Sequence, residues 1–555
     1  MTGSIIKKSN TEDTTSKIII LPDCNDTEVK QRIEGALSEQ LNKDCEIKLS
    51  PPLYLSNLSK GIKESDVSKF LNRNEDGDAE LFIKLFHNQY IFDHAAKLWY
   101  YWNDHYWRQD KLNHIVKCIQ DLIEVYDEQM SREKFKAEFY IKNDKTKEYK
   151  KHKTMIAKYQ KRIEKLQTLY RKKNVLSQAT MGKYTLGITG DEWDKNHYLL
   201  GCRNGVLNLK EGTFDGAGNR QADYIKTISP TIWKGIDEPC PAWEKFLDSA
   251  FQEPEEKPII PFLQRLIGYS LRGDTKEHIY PIFYGEHGRN GKGTILETLK
   301  YVLGELAYKA PAEFLMKKTN SQQSADTPSA TLMKLRGVRL VWCSETNEGD
   351  RIDPAKLKEL VGGDTISARS PFGKSQIEFE PTHTLFTMTN SKPQMPANDS
   401  ALWDRIILVN FKLMFVSNPD PAKPYQVKKD PDLKAKLRDE ASGILAWAVR
   451  GAILYEQQGL MIPDIISEAT KSYRSEQDLI EQYIEECCAV GDINDPAYRA
   501  KSKDLYEAYQ KWCSESGCFP VKKQKFRKTL FLKGFEEKRT GGASTPMFRG
   551  ITCNS

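Results

Sequence analysis

The stretch that most constrains this chain is Tyr280-Pro-Ile-Phe-Tyr-Gly-Glu-His-Gly-Arg-Asn-Gly-Lys-Gly-Thr294. It starts as a short apolar strand, breaks into glycines, passes one lysine, and continues as a helix expected from Thr294 to about Leu303. That order suits a phosphate cradle. Glycines let backbone N–H groups close on a polyphosphate, the following helix N-terminus adds its positive dipole end, and Lys292 reaches the β/γ phosphates. Gly285, Gly288, Arg289, Asn290, Gly291, Lys292, Gly293 and Thr294 are therefore the candidate nucleotide contacts. The strict spacing G-x-x-x-x-G-K-[ST] is not met. Glu286 stands six residues before Lys292, with the nearest glycine at Gly285, and Gly293 occupies the place of a Mg²⁺-ligating hydroxyl. A Gly-rich turn between a core strand and a helix would share some of these residues, so the sequence that follows has to decide.

At 555 residues the chain exceeds one core and should split into two to four domains. Its 39% hydrophobic and 29% charged content is that of a globular protein in water, and no apolar run has the length of a membrane-spanning helix. The opening Met1-Thr-Gly-Ser-Ile-Ile-Lys-Lys is not a signal peptide, so a cytoplasmic protein without membrane partners is expected. Eleven scattered cysteines agree with reduced thiols. Cys487-Cys488 with Cys513 and Cys518 is the closest approach to a zinc pattern, but the spacing favours buried small hydrophobes.

Residues 1–78 are polar, with one short β-like run at Ile18–Leu21, and read as a flexible lead or small appended segment. Asp76 and Asp78, with Asn, Glu and Gly neighbours, read as a solvated loop. From Ala79 the character changes. Ile91–Trp102 and His105–Arg108 read as aromatic strands about an Asn103-Asp104 turn, more as a core face than as a stacking platform for bases. Residues 130–175 hold sixteen Lys or Arg against five Asp or Glu. Ile156, Tyr159, Ile163, Leu166 and Tyr170 form an amphipathic seam there, on a helix that is either a solvated face or a ridge toward nucleic-acid phosphates. Tyr198–Lys210 is a hairpin signal, and Pro239-Cys-Pro-Ala-Trp243 marks a boundary before helical segments at about 241–252 and 259–272.

Beyond the phosphate loop, Val338–Cys343 is a buried-type strand ending at Ser344-Glu345. An acid at such a tip can hold the Mg²⁺ shell and orient an attacking water. Ile366–Arg369 and Gln376–Phe379 flank a turn near Lys374, a hairpin with a basic tip. Thr384–Thr389 ends on Asn390, an amide suited to sensing a γ-phosphate, and Ala401-Leu-Trp-Asp-Arg405 sets an arginine before a further strand, Ile406–Val409.

This order resembles a superfamily 3 helicase, an AAA+ ATPase, and more narrowly the phage and plasmid primase–helicase branch that includes the poxvirus primase-helicase. Gly288–Lys292, Glu345, the segment Lys358 to Arg369, Thr389-Asn390-Ser-Lys-Pro393 and Trp403–Arg405 match motifs of that branch, the last carrying its arginine finger. Arg203–Leu209 and Pro241–Trp243 resemble its helicase-associated region. The resemblance implies an α/β fold: an AAA+ P-loop ATPase core with a parallel sheet at 241–460, preceded by an α+β helicase-associated domain at 79–240. It also implies ATP and Mg²⁺ as ligands, with Thr294 and Glu345 at the metal, and a homo-oligomeric, hexameric ring. Single-stranded and forked DNA would be its partners, with a primase or replication initiator nearby. Lys292, Glu345, Asn390 and Arg405 would be the catalytic set, and Arg369 and Lys374 would grip DNA.

Residues 465–555 read as a winged-helix domain. Between Val521 and Thr540 stand eight Lys or Arg and two Glu, a local +6 equal to the formal net charge of the whole chain. Lys522, Lys523, Lys525, Arg527 and Lys528 are the candidate duplex contacts. The resulting expectation is a 3′→5′ replicative DNA helicase of a phage, plasmid or other mobile element. The alternative is a non-unwinding origin-recognition scaffold whose nucleotide site serves only assembly.

Overall fold

The computed structural model describes residues 62–216, 220–316, 329–344, 351–369, 376–516, 520–539 and 546–554. Ile18–Leu21, Glu345, the hairpin tip with Lys374, Cys518 and the Gly541-Gly542 turn lie outside the described residues. The chain divides into two compact units. One runs to Trp102 and resumes over Arg108–Gly190; the other comprises Asn103–Trp107 and Asp191–Ser555. The stretch 79–240 thus contributes to both.

In the first unit, helices Glu64–Asn72 and Asn74–Phe86 precede strands β1 (Tyr90–Asp93) and β2 (Leu98–Asn103), whereas β3 (Tyr106–Gln109) straddles the division, its Tyr106 and Trp107 counting with the second unit. Helices Ile119–Lys142, Thr146–Leu166 and Leu169–Ala179 then lead to β4 (Gly187–Ile188), which closes a sheet in the order β3-β2-β1-β4. The turn after β2 places Asp104 at φ 60°, and Tyr100 and Trp107 are buried, as a core reading of these aromatics requires.

Three sequence expectations change in this unit, the first being the lead 1–78, since the helix Glu64–Asn72 within it buries Val67, Phe70 and Leu71 in the core. Asp78 is not in a solvated loop. It lies in the helix Asn74–Phe86, fully buried, and accepts from Arg162 Nη1 at 2.5 Å, Arg171 Nη2 at 2.6 Å and the Tyr126 hydroxyl at 2.8 Å. Its polar neighbours in sequence concealed it, because both arginines come from helices far along the chain. The basic stretch 130–175, for its part, is not one ridge. It breaks first at residues 143–145, with Asp144 at φ 54°, and again near Thr168, whose side chain caps the next helix by accepting from Arg171 N. Tyr159 and Leu166 are buried along the expected seam and Ile156 and Ile163 partly so, but Tyr170 falls beyond the break and is exposed.

The second unit opens with β5 (Leu199–Cys202), β6 (Gly205–Asn208) and β7 (Thr213–Asp215), and the first pair closes around Arg203-Asn204, with Cys202 opposite Gly205. Helices Pro241–Ala250 and Ile259–Arg272 follow, the first with proline at its first turn, where no intrahelical N–H is needed. Next come β8 (Tyr280–Tyr284), the helix Lys292–Leu303, β9 (Ala307–Ala310), β10 (Leu340–Ser344), the antiparallel pair β11 (Ile366–Arg369) and β12 (Gln376–Phe379), β13 (Thr384–Thr389) and β14 (Ile406–Asn410).

Five of these strands form one parallel sheet in the order β14-β8-β13-β10-β9. β8, β10 and β14 read as largely apolar runs because both faces of such a sheet are covered, and β13 alternates Leu385, Phe386 and Met388 with threonines that are themselves buried. Pro281 is tolerated in the interior strand β8 because pairing with β13 starts only at Ile282. Helices pack on both sides, burying Trp243, Phe251 and Trp342 almost completely. Each large apolar side chain buried in this way contributes roughly 1.5–3 kcal/mol.

β14 leads into a parallel pair, β15 (Met414–Val416) and β16 (Gln426–Lys428), and helices Leu433–Asp439, Ala441–Gln458 and Asp464–Glu476 complete the core. The remainder packs helices Leu479–Cys487, Ser502–Glu515 and Lys523–Leu532 around β17 (Cys488–Val490), β18 (Arg499–Lys501), β19 (Glu536–Arg539), β20 (Pro546–Arg549) and β21 (Ile551–Cys553). β19 and β20 pair antiparallel, with Glu536 opposite Arg549. Cys202, Cys240, Cys343, Cys488 and Cys513 are buried thiols. No helix among the described residues is long and apolar enough to cross a membrane.

Candidate nucleotide site

The parallel register brings the strand ends to one edge. Thr389 stands beside Tyr284, and Ser344 beside Met388. Gly285 and Asn390, the residues that follow β8 and β13, therefore emerge together. β8 lies where the strand order reverses, the position at which ligands bind beyond the carboxyl ends of such sheets.

Close packing shapes the loop. A Cβ on Gly285 would lie 1.8 Å from Asn290 Nδ2 and 2.7 Å from the Phe411 carbonyl oxygen, so only glycine fits. Asn290 itself is buried and donates to the His287 carbonyl at 2.6 Å. Gly291, at φ 89°, ends the loop and caps the helix beginning at Lys292. At Gly293 a Cβ would meet only Met388 Sδ, at 3.7 Å, so its small size is not enforced by packing.

Lys292 is 3% exposed, and its ammonium donates to the Gly285 carbonyl at 3.1 Å and to Asn390 Oδ1 at 2.8 Å. Both partners are neutral, and burial pushes the lysine pKa down to about 8. A cation held this way is poised for an anion.

The loop forms one wall of a cleft of about 480 Å³. Gly288 to Thr294 and Met388 to Asn390 line the polar side; Phe246, Phe415, Pro431 and Leu433 line an apolar side, with Lys429 and Lys434 nearby. The rings of Phe246 and Phe415 are 6.1 Å apart. Sequence reasoning missed this second wall. Its residues come from separated segments, and no local pattern joins them.

The segment after β14 is strapped to the end of β8 and to the loop. Phe411 N donates to the Tyr284 carbonyl at 2.7 Å and Phe415 N to the Arg289 carbonyl at 2.8 Å. The His287 ring stacks on Tyr425 at 4.5 Å.

The other sequence-derived residues are distributed as follows. Ser344 ends β10, but Glu345 is outside the described residues. Arg369 ends β11, and its hairpin tip is likewise undescribed. Arg405 does not line the cleft among the described residues. It precedes β14, whose Ile406 and Asn410 stand beside Tyr280 and Tyr284, so it lies at the opposite edge of the sheet. Five residues at ~3.3 Å each put it about 16 Å from its own loop. There it donates to the Ala401 carbonyl of the short helix Ser400–Trp403.

In the tail, the helix Lys523–Leu532 buries Phe526, Thr529 and Leu530 and leaves Lys522, Lys523, Lys525 and Lys528 exposed. Arg527 differs from these lysines. It is paired with Glu537 of β19, its Nε donating at 3.1 Å.

Segments on both sides of the Gly285–Thr294 loop are similar to D5-type families. Residues 79–252 match a family described as "D5 N terminal like", 475–547 one described as "Poxvirus D5 protein-like", and 283–405 a family of unknown function. Among curated relatives it is 27% identical over 334 residues to "Putative helicase L207/L206" of Acanthamoeba polyphaga mimivirus, covering 58% of this chain and 33% of that protein. It is 31% identical over 310 residues to "Putative helicase 022R" of Frog virus 3, covering 54% and 30%. With "Putative primase C962R" of African swine fever virus it shares 26% identity over 332 residues, covering 58% and 33%. The chain spans about a third of the length of these relatives. Among solved structures, the apo A form of the NrS-1 C terminal region aligns with 13% identity and a TM-score of 0.36, covering 59% of this chain and 81% of that one. The resemblance read from the motifs therefore stands: the relatives are viral proteins named as helicases or primases.

Proposed function

We propose that this chain is the ATP-driven motor region of a replicative DNA helicase of a virus, phage, plasmid or other mobile element, built as an AAA+ core with a winged-helix tail. The observation that carries the reading is the buried Lys292, held between Gly285 and Asn390 at the carboxyl edge of a parallel sheet and facing a cleft with a polar and an apolar wall.

In this reading Lys292 and the loop amides hold the triphosphate, and Asn390 exchanges its bond to Lys292 for the γ-phosphate. Thr294, on the first helical turn, supplies the hydroxyl that Gly293 lacks, and a bound Mg²⁺ would neutralise phosphate charge. Glu345 orients the attacking water. The base lies toward Phe246 and Phe415.

Arg405, at the far edge of its own sheet, serves the cleft of a neighbouring copy in a hexameric ring. Turnover then moves the hairpins bearing Arg369 and Lys374 along a single strand in the 3′→5′ direction. The exposed tail lysines hold duplex DNA. The viral helicase and primase names of the relatives favour unwinding over an assembly-only scaffold.

Fork unwinding by the full chain with ATP and Mg²⁺ tests the proposal. Strand displacement by the wild type and its loss in Lys292→Ala, with the fold intact, is the expected result. ATP-dependent duplex binding without displacement would instead support the scaffold.

A further inference from the structure

Between Asn390 and Arg405 the chain crosses from the carboxyl edge of the sheet to its amino edge, and almost every step of that crossing is tied to elements beyond the sheet. Lys392 pairs with Glu476 at 2.7 Å. The Pro393 carbonyl accepts from the buried Tyr473 hydroxyl, Met395 N donates to Gln477 Oε1 at 2.9 Å, and Arg474 Nε donates to the Ala397 carbonyl at 3.3 Å. These partners lie on or just after the helix Asp464–Glu476, which leads into the tail.

The next residue reaches the tail itself. Asn398 Nδ2 donates to Thr529 Oγ1 at 3.0 Å, and Thr529 is 2% exposed on the inner face of the helix whose outer face carries Lys522, Lys523, Lys525 and Lys528. Immediately after Asn398, Asp399 accepts from Leu402 N at 3.1 Å, capping the helix Ser400–Trp403, and pairs with Lys358 at 2.8 Å. Trp403 of that helix donates to the Pro396 carbonyl at 3.1 Å, and Arg405 donates back to Ala401. A continuous set of bonds thus runs from the basic helix through Asn398 and Asp399 to the short helix that sets Arg405.

We infer that Asn398 and Thr529 are positioning residues through which nucleic acid bound on the tail lysines biases the placement of Arg405, and so the rate of ATP hydrolysis. The inference rests on the proposed motor function and adds to it a specific route of coupling. Phosphates drawn to the outer face of the basic helix shift it as a rigid rod. The Asn398 bond transmits that shift because Thr529 is buried and cannot swing independently. The coupled element is the cap at Asp399, where a small displacement reorients a helix only four residues long. Couplings between sites are worth about 5–150-fold in affinity, and a displacement of Arg405 would be read in the rate of turnover.

The test compares ATP turnover of the full chain, with and without duplex DNA, in the wild type, Asn398→Ala, Thr529→Val and Thr529→Ser. Wild type and Thr529→Ser should be stimulated by DNA. Asn398→Ala and Thr529→Val should keep basal turnover and duplex affinity but lose stimulation about fivefold or more. Asn398 is exposed, so its variant carries the test alone if Thr529→Val does not fold. Full stimulation in Asn398→Ala overturns the inference, as does a wild type that hydrolyses ATP and binds duplex without stimulation. A wild type that does not hydrolyse ATP removes the motor reading itself.

Discussion

Lys292 Nζ lies 2.8 Å from Asn390 Oδ1, joining the first residue of the helix after the phosphate loop to the tip of the neighbouring strand. The bond is one that a ligand must displace, since the same ammonium and the same amide are the groups that would face the terminal phosphates. It also makes the site sensitive to pH. With burial holding the Lys292 pKa near 8, the free protein loses this proton as pH rises through that value. A bound polyphosphate supplies the negative charge that Gly285 and Asn390 lack, and so restores it.

ATP affinity should therefore fall as pH rises through about 8, and binding above that pH should take up a proton. Lys292→Arg, whose guanidinium stays charged, should remove that proton uptake. Titration calorimetry in buffers of different ionisation enthalpy measures both. No uptake by the wild type would contradict the charge assignment. The depressed pKa also means that the unfolded chain binds more protons than the folded one between about pH 8 and pH 10.5, so this group's contribution to stability rises with pH across that window.

Two glycines of the loop should behave oppositely. Gly285→Ala forces a Cβ against Asn290 and the Phe411 backbone, and at roughly 1–3 kcal/mol for such overpacking it should weaken ATP binding about tenfold or more. Gly293→Ala meets only ordinary contact with Met388 and replaces glycine in a helix, a change favourable by up to ~1 kcal/mol. Its melting temperature should hold or rise. Equal ATP affinities in the two variants would show that Gly285 is not needed for the shape of the loop.

The tail cations divide into two groups. Replacing the exposed Lys522, Lys525 and Lys528 with alanine should lower duplex affinity and reduce the slope of log K against log salt by about 1 per lysine. Arg527→Ala should instead loosen the join between the basic helix and β19, because its partner is Glu537. It should lower the tail's thermal stability and leave the salt slope nearly unchanged. Salt-dependent binding curves for the two variants distinguish these outcomes, and an unchanged slope in the triple variant would make the lysines a solvated face.

Much of this site could be read from the chain because its parts are local. β8 and β13 are buried strands, and each is followed at once by the residue that enters the site, Gly285 after Tyr284 and Asn390 after Thr389. Gly285, Lys292 and Asn390 thus announced themselves by position relative to a strand end. Phe246, Phe415 and Lys434 did not. They meet only because β15 and the helix Leu433–Asp439 fold back over the loop, and nothing periodic marks that return. Asp78 was misread for a related reason. Its neighbours are polar, while the arginines that neutralise it stand 84 and 93 positions away.

That buried cluster makes a further test. Asp78→Ala leaves Arg162 and Arg171 without their shared carboxylate, a loss of about 3–5 kcal/mol for breaking a buried pair. Asp76, two residues earlier and exposed, should change stability by no more than about 0.5 kcal/mol when replaced by alanine. Urea denaturation followed by fluorescence checks the contrast. Equal midpoints for the two variants would show that the Asp78 cluster adds little to stability.

The strap over the phosphate loop bears on timing as much as on shape. With Phe411 bonded to the end of β8, Phe415 to the loop backbone and Tyr425 stacked on His287, the cradle is fixed when the chain folds. The loss of backbone freedom is then incurred once, at folding, and not on each arrival of a ligand. An arriving ligand would then meet a backbone cradle already shaped, with the Lys292–Asn390 bond left to give way. In the proposed motor, any movement on turnover would fall to elements that are not strapped, with the cleft as the stationary part.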